Sequence, residues 1–313
     1  MVGFLLLSER RNIMTKTKKK INISKDDRVF YITIDVILTL MLIIILWPLI
    51  FILSSSLSSK EAVMAGRVFL FPVDFSLEGY KAIFKTGEVL VGYRNTILYT
   101  LVGTTLNVLI TLIAAYPLSR KDLPYRRPLS FIFTFTMFFS GGMVPTYILV
   151  SNLGLLNTPL AMIFPGALSV YNMIICRSFI ENSIPHEIYE AASIDGCSDF
   201  GYFTKILIPL SGPVIAVITL YYAVAHWNSY FNAFLYLTND KLYPLQLVLR
   251  NILLANQMDA AMVTDMEQME SKQGLADLIK YALIVVSSLP VLIIYPFIQK
   301  YFVKGVMIGS VKG

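Results

Sequence analysis

The sequence predicts an all-α membrane protein that crosses a bilayer six times, and three observations carry that prediction. Of its 313 residues, 56% are hydrophobic and only 15% charged, too few charges to cover a water-soluble domain of this size. Apolar runs recur at 31–53, 95–118, 129–150, 160–176, 206–231 and 278–302. Each approaches the roughly 20 helical residues that span about 30 Å of hydrocarbon. The runs are continuous rather than short and alternating, which excludes a transmembrane barrel.

Charge sets the orientation of these spans. Residues 1–30 hold eight Lys/Arg, among them Lys16, Lys18, Lys19 and Lys20. The link between the second and third spans adds Arg120, Lys121, Arg126 and Arg127, whereas 151–159 has no basic residue. The positive-inside rule then places both termini, and the stretch after the fourth span, in the cytoplasm. The chain divides into a basic cytoplasmic segment (1–30), a transmembrane domain (31–303) and a cytoplasmic tail (304–313). The apolar "GFLLL" at the start is too short for a signal peptide, and Met14, just before "TKTKKK", reads as an alternative start. The lysine run is a topology anchor rather than a nucleic-acid patch.

Two segments, 54–94 and 232–277, lie outside and are long for plain connectors, which points to a binding role. Pro48, Pro117, Pro145, Pro165, Pro290 and Pro296 punctuate the spans and are expected to kink them. "SGGM" at 140–143 allows close helix approach or a local unwinding, with close packing expected.

What is missing also restricts function. Apart from Asp35 near one end of the first span, the span interiors hold no Asp, Glu, Lys or Arg. A proton- or sodium-driven carrier needs polar ligands at mid-depth, and a voltage sensor needs an arginine ladder. No G-x-x-x-x-G-K-[ST] occurs, so ATP is not held by that loop. Cys176 and Cys197 make no disulfide framework, and with His186 and His226 they form no metal-ligand spacing. Neither a catalytic nor a metal site is expected.

The chemistry concentrates in "EIYEAASIDGCSDFGYFTKILIP" at 187–209. Pro185 suits the first turn of a helix, and Glu187 and Glu190 lie where the helix dipole favours carboxylates. Gly196 suits a left-handed terminus, and Ser198 a cap for a second helix whose Phe200, Phe203 and Leu207 share one face. Small Ala191 and Ala192 allow close approach of a partner, and Glu190 offers it a charge-assisted bond. On the residues alone, a docking element and a partnerless interfacial helix are equally supported.

"EAASIDG", nine residues and "ILIP" resemble the EAA loop of ABC-importer permeases, with Ile208 in place of the usual leucine. "RNTILYT", "AYPLSR", "LGLLNTPLAMIFPG", "CRSFIENSIPHEIYEAASIDG", "HWNSYFNAF" and "GVMIGSVKG" are similar to successive segments of the sugar-class permeases. Within that class they resemble the smaller maltose-permease subunit and its oligosaccharide-importing relatives.

The resemblance implies a type I importer (MetI-like) fold in a bacterial plasma membrane, with EAA coupling helices in the loop at 183–209. It implies a second homologous permease, two cytoplasmic ATPases that hold ATP and Mg, and an extracellular binding protein that delivers a sugar. This chain would be a non-enzymatic translocation subunit without a cofactor of its own. Glu190, Ala191, Ala192, Asp195 and Gly196 would couple to an ATPase. The tail residues Val311, Lys312 and Gly313 would enter the ATPase seam, and the outer loop 251–274 would reach the binding protein. Tyr171, Asn172, Tyr221, Tyr222, Trp227 and Asn228 are candidates for the sugar path, weighed against an interfacial aromatic belt. A permease for peptides or another small neutral solute is the second reading, and a passive channel or scaffold the third.

Overall fold

The computed structural model describes residues 25–85, 87–261 and 266–310, with side chains over 27–85, 87–256 and 272–296. Val311, Lys312 and Gly313, Met14 and the lysine run, and the side chains of 257–271 lie outside the described residues. Every regular element among them is helical. The chain forms two units, 1–51 and 52–313.

Helix α1 (Lys25–Ser56) supplies the described part of the first unit and leads into the second. In the second unit, α2 (Lys60–Met64) and α3 (Glu78–Phe84) precede α4 (Glu88–Ser119), whose 32 residues reach about 48 Å at 1.5 Å per residue. Asp27–Ser56, Glu88–Ser119 and Lys272–Pro296 are each long and apolar enough to cross a membrane unbroken. Pro48, Pro117, Pro290 and Pro296 all sit inside continuous helices.

Three expected spans are broken instead. The third is α5 (Arg126–Phe138) and α6 (Met143–Asn152), bent by 110°. Gly142 between them has φ +88, a conformation L residues rarely adopt. "SGGM" therefore unwinds the chain rather than packing two helices together. The fourth is α7 (Leu160–Ile163) and α8 (Val170–Ser183), parted by Pro165 and by Gly166 at φ +119.

The stretch after α8 folds as α9 (His186–Ile194), then α10 (Asp199–Tyr202), a π turn (Phe203–Leu207) and α11 (Ile208–Leu210). The fifth expected span breaks before α12 (Gly212–Trp227), at an angle of 81°, where Pro213 brings no N–H to the new first turn. Helix α13 (Tyr230–Tyr236) follows, then α14 (Leu245–Ala261) and α15 (Met266–Ser310), so the long segment at 232–277 is largely helical.

Helix α4 is the hub of the second unit; α8, α12 and α14 all pack against it. Its polar residues satisfy backbone that other elements leave open. Thr96 Oγ1 accepts from Leu245 N at 2.8 Å, and Asn95 Nδ2 donates to the carbonyls of Lys241 and Tyr243. Pro290 has no N–H to give the Val286 carbonyl four residues earlier. The Tyr93 hydroxyl takes that place, donating to Val286 O at 2.5 Å. A proline inside a span is tolerated because a neighbouring helix supplies the missing donor. One apolar core gathers Leu112, Ala115, Met173, Ile218 and Tyr222, together with Ala192, Tyr202 and Leu207 from the α9–α11 region.

Candidate functional site

Two places on the second unit concentrate polar chemistry. The first is a cavity of about 530 Å³ between α4, α7, α8 and α12. Of the six sequence candidates, Tyr171, Asn172, Tyr221 and Tyr222 line it, joined by Asn107, Ser169, His226, Ser229 and Asn232. No Asp, Glu, Lys or Arg is in this lining. The donors and acceptors are amides, hydroxyls and one imidazole.

The Tyr222 ring is buried, and its hydroxyl lies 2.7 Å from Thr111 Oγ1 while accepting from Ser169 N at 3.0 Å. That oxygen joins α4 to the start of α8. Asn107 Nδ2 sits 3.2 Å from His226 Nε2. The imidazole lies against Gly103, where a Cβ would fall 2.4 Å from Nε2. Asn107 Oδ1 is buried without a protein partner. A buried amide oxygen left open at a cavity wall is an acceptor prepared for a ligand or water hydroxyl.

Trp227 and Asn228 are not part of this cavity. Trp227 is buried in a separate apolar cluster with Leu245 and Ile279, and its indole N–H donates to Ser287 O at 3.1 Å. Asn228 Nδ2 donates to Val224 O at 3.0 Å, one turn back. Tyr222 and His226 are four residues apart and share a helix face, whereas Trp227 and Asn228 are carried past it.

The second place is the helix–turn–helix. Pro185 stands at the N-cap of α9, one residue earlier than a first-turn position. At the far end Cys197 N donates to Ala192 O and Gly196 N to Ser193 O, with Gly196 at φ +76. This pair of bonds is the Schellman termination, and it requires a residue free to go left-handed. Ser198 then caps α10, its Oγ accepting from Gly201 N at 3.1 Å.

Glu190, Ala191, Asp195 and Gly196 are exposed on this element, and Glu190 lies 3.7 Å from His186. Ala192 differs from these: it is 7% exposed and its side chain packs into the chain's own core. The expected apolar face of Phe200, Phe203 and Leu207 also fails. The π turn shifts the register, leaving Phe200 76% exposed while Leu207 is buried. The outward apolar groups are instead Phe200 and Ile194, the latter 86% exposed.

Arg120, at the C-cap of α4, holds this element. Its Nε and Nη2 grip Asp122 at 2.9 and 2.5 Å, Nη1 reaches Asp199 at 2.6 Å, and Nη2 donates to the Tyr189 hydroxyl at 2.6 Å. The guanidinium carbon also lies 3.9 Å from the Tyr189 ring centroid. The hydrogen bonds from Arg120 hold the Asp122 carboxyl below its ordinary range and raise the guanidinium above its own. Arg126, on α5, pairs with Glu181, which Arg177 also grips at 2.8 Å. Half of the basic link is thus structurally engaged.

Residues 90–308 match the family of binding-protein-dependent transport system inner membrane components. The chain belongs to that family. It is 42% identical to a polygalacturonan/rhamnogalacturonan transport system permease of Bacillus subtilis, over 92% of this chain and 99% of that one. It is 27% identical to an arabinooligosaccharides transport system permease of Halalkalibacterium halodurans, over 86% of this chain and 92% of that protein. Among solved structures, a chain of a bacterial ABC transporter involved in import of the acidic polysaccharide alginate superposes with a TM-score of 0.78. That chain is 35% identical, and the match covers 89% of this chain and 98% of it.

Asn107, Ser169, His226, Ser229 and Asn232 did not stand out in the sequence. Asn107 had a signal: Thr104, Asn107 and Thr111 recur at spacings of three and four inside the second span, a polar stripe that one buried helix face must satisfy.

Proposed function

We propose that this chain is a permease subunit of an ATP-driven importer that carries a saccharide, built from several sugar units, from an extracellular binding protein into the cytoplasm. The observation that carries the reading is cargo class: relatives at 42%, 27% and 35% identity are described as serving polygalacturonan, arabinooligosaccharides and alginate. The cavity agrees with it chemically. Tyr171 and Tyr221 offer faces for sugar rings to stack on, and Asn107, Asn172 and Asn232 offer amides to their hydroxyls.

In this reading six crossings are made, three of them by broken helices, and both termini face the cytoplasm. A second homologous permease completes the path, and two ATPases hold and hydrolyse ATP with Mg. The α9 helix docks on one ATPase through Glu190, Ala191, Asp195 and the exposed Ile194, with Gly196 fixing its end. Val311, Lys312 and Gly313 enter the seam between the ATPases, and the segment 251–274 meets the binding protein. The chain itself catalyses nothing and needs no cofactor. Closure of the ATPases drives the permeases between two states through contacts that differ between them.

Uptake tests this directly. Cells lacking the chain are to be fed labelled oligogalacturonides, arabino-oligosaccharides and short peptides. Loss of saccharide uptake alone, restored by the gene, is expected. Intact saccharide uptake with loss of peptide uptake overturns the reading.

A further inference from the structure

Apolar packing alone leaves the helix–turn–helix free to slide. Ala192, Tyr202 and Leu207 bury against Leu118, Ile180 and their neighbours, contacts that are non-directional. The angle between α9 and α4 needs something that resists rotation. Arg120 is the one residue at the end of α4 whose side chain bonds both halves of the element, Tyr189 on α9 and Asp199, the first residue of α10. The Tyr189 hydroxyl also lies 3.1 Å from Asp199 Oδ1, which closes a triangle of polar contacts. Asp122 clamps the guanidinium from the opposite edge through two bonds, and the side chain is only 17% exposed.

The same helix carries Thr111, which bonds the Tyr222 hydroxyl, and Asn107, which lines the cavity. Thirteen positions separate Arg120 from Asn107, about 20 Å of unbroken helix at 1.5 Å per residue. The grip is applied through the side chain of the C-cap residue, at the end of that helix.

We propose that Arg120 is the positioning residue that latches the ATPase-facing helix to α4, so that movement of α9 reaches the cavity wall at Asn107 and, through Thr111, at Tyr222. This rests on the docking reading of α9 given above. The latch depends on a planar fork, not on charge. A lysine ammonium is a point charge that cannot hold Asp122 by two parallel bonds while donating to Tyr189 and Asp199.

The whole importer, reconstituted in liposomes with its binding protein, provides the test through saccharide moved per ATP hydrolysed. Arg120→Gln is expected to keep its ATPases and basal hydrolysis within two-fold, yet to lose at least ten-fold in saccharide per ATP. Arg120→Lys is expected to fail alike. Full rescue by lysine reduces the role to charge and overturns the latch, as does an unchanged ratio in Arg120→Gln. Should Arg120→Gln not assemble, Tyr189→Phe decides, because it removes only a hydroxyl. A two- to five-fold fall in the ratio is expected there, and no fall overturns the proposal. Ile194→Asp separates this from the docking reading: if its ATPases stay attached and coupled, α9 is not the docking element, whatever Arg120 does.

Discussion

The two polar regions of this subunit are made from opposite materials. The cavity is lined by neutral amides, hydroxyls and one imidazole, held in place by side chain–side chain bonds such as Thr111 to Tyr222. The helix–turn–helix is held by ion pairs, Arg120 with Asp122 and Asp199, beside Arg126 and Arg177 with Glu181. The difference follows from surroundings. Deep among spans an unpaired charge costs several kcal/mol, so neutral groups do the holding. At a helix end near water a bidentate arginine is permitted and fixes an angle that neutral groups would not.

The contrast can be broken most severely at Gly103. A side chain there enters the space of the His226 ring, 2.4 Å from Nε2 for the first carbon alone. Overpacking of this kind costs about 1–3 kcal/mol, and it separates His226 from Asn107. Gly103→Leu is expected to reduce saccharide uptake more than ten-fold while the ATPases remain attached, measured by uptake and co-purification. Normal uptake would mean that the cavity end tolerates a rearranged wall. The effect belongs to one end only.

The neighbouring alanines sharpen the comparison within the other end. Ala192→Asp puts a carboxylate into the chain's own apolar core, in the cluster that holds Tyr202 and Leu207. A loss of several kcal/mol in stability is expected, visible as a lower yield of folded chain in detergent. Ala191→Asp changes an exposed position. It is expected to leave yield within two-fold and to weaken ATPase retention instead. Equal yields for both variants would contradict the burial of Ala192.

The alanine pair also marks what was legible in the sequence. Glycine and serine announced the turn, because Gly196 and Ser198 act through their own backbone and hydroxyl, and local chemistry is readable from local sequence. Which of Ala191 and Ala192 faces inward was not, since both are small and the answer depends on α8 and the π turn. The cavity was half legible for a similar reason. Tyr171, Asn172, Tyr221 and Tyr222 are legible as polar aromatic or amide groups in spans, but Trp227 and Asn228 carry the same chemistry, and their own segment does not show that the helix turns them away from the cavity. His226 is not legible as a cavity residue because a lone histidine has no partner in its own segment; Asn107 is 119 residues away. The span breaks at 139–142 and 164–169 were hidden for the opposite reason. Hydropathy is blind to direction, and a glycine that unwinds a helix reads the same as one that packs it.

Acid provides the gentlest separation of the two ends. The bonds from Arg120 lower the Asp122 carboxyl, so it binds its proton less readily in the folded chain than in the unfolded one. A depressed carboxyl contributes stability above its unfolded value, about 3.9, and gives it up as pH falls through the folded value. Asp122 is 61% exposed, so solvent screens much of the effect. The helix–turn–helix should therefore hold through pH 5 and loosen only below the ordinary carboxylate range. The cavity lining has no carboxylate to protonate, and the group in it that takes a proton on acidification is the His226 imidazole. A nitroxide at Ser193 is expected to keep its mobility from pH 7 to 5 and gain it toward pH 3, below the range in which an imidazole takes its proton. Loosening at Ser193 already at pH 5 would show that Asp122 is not held by Arg120, and the ion-paired end would lose the feature that sets it apart.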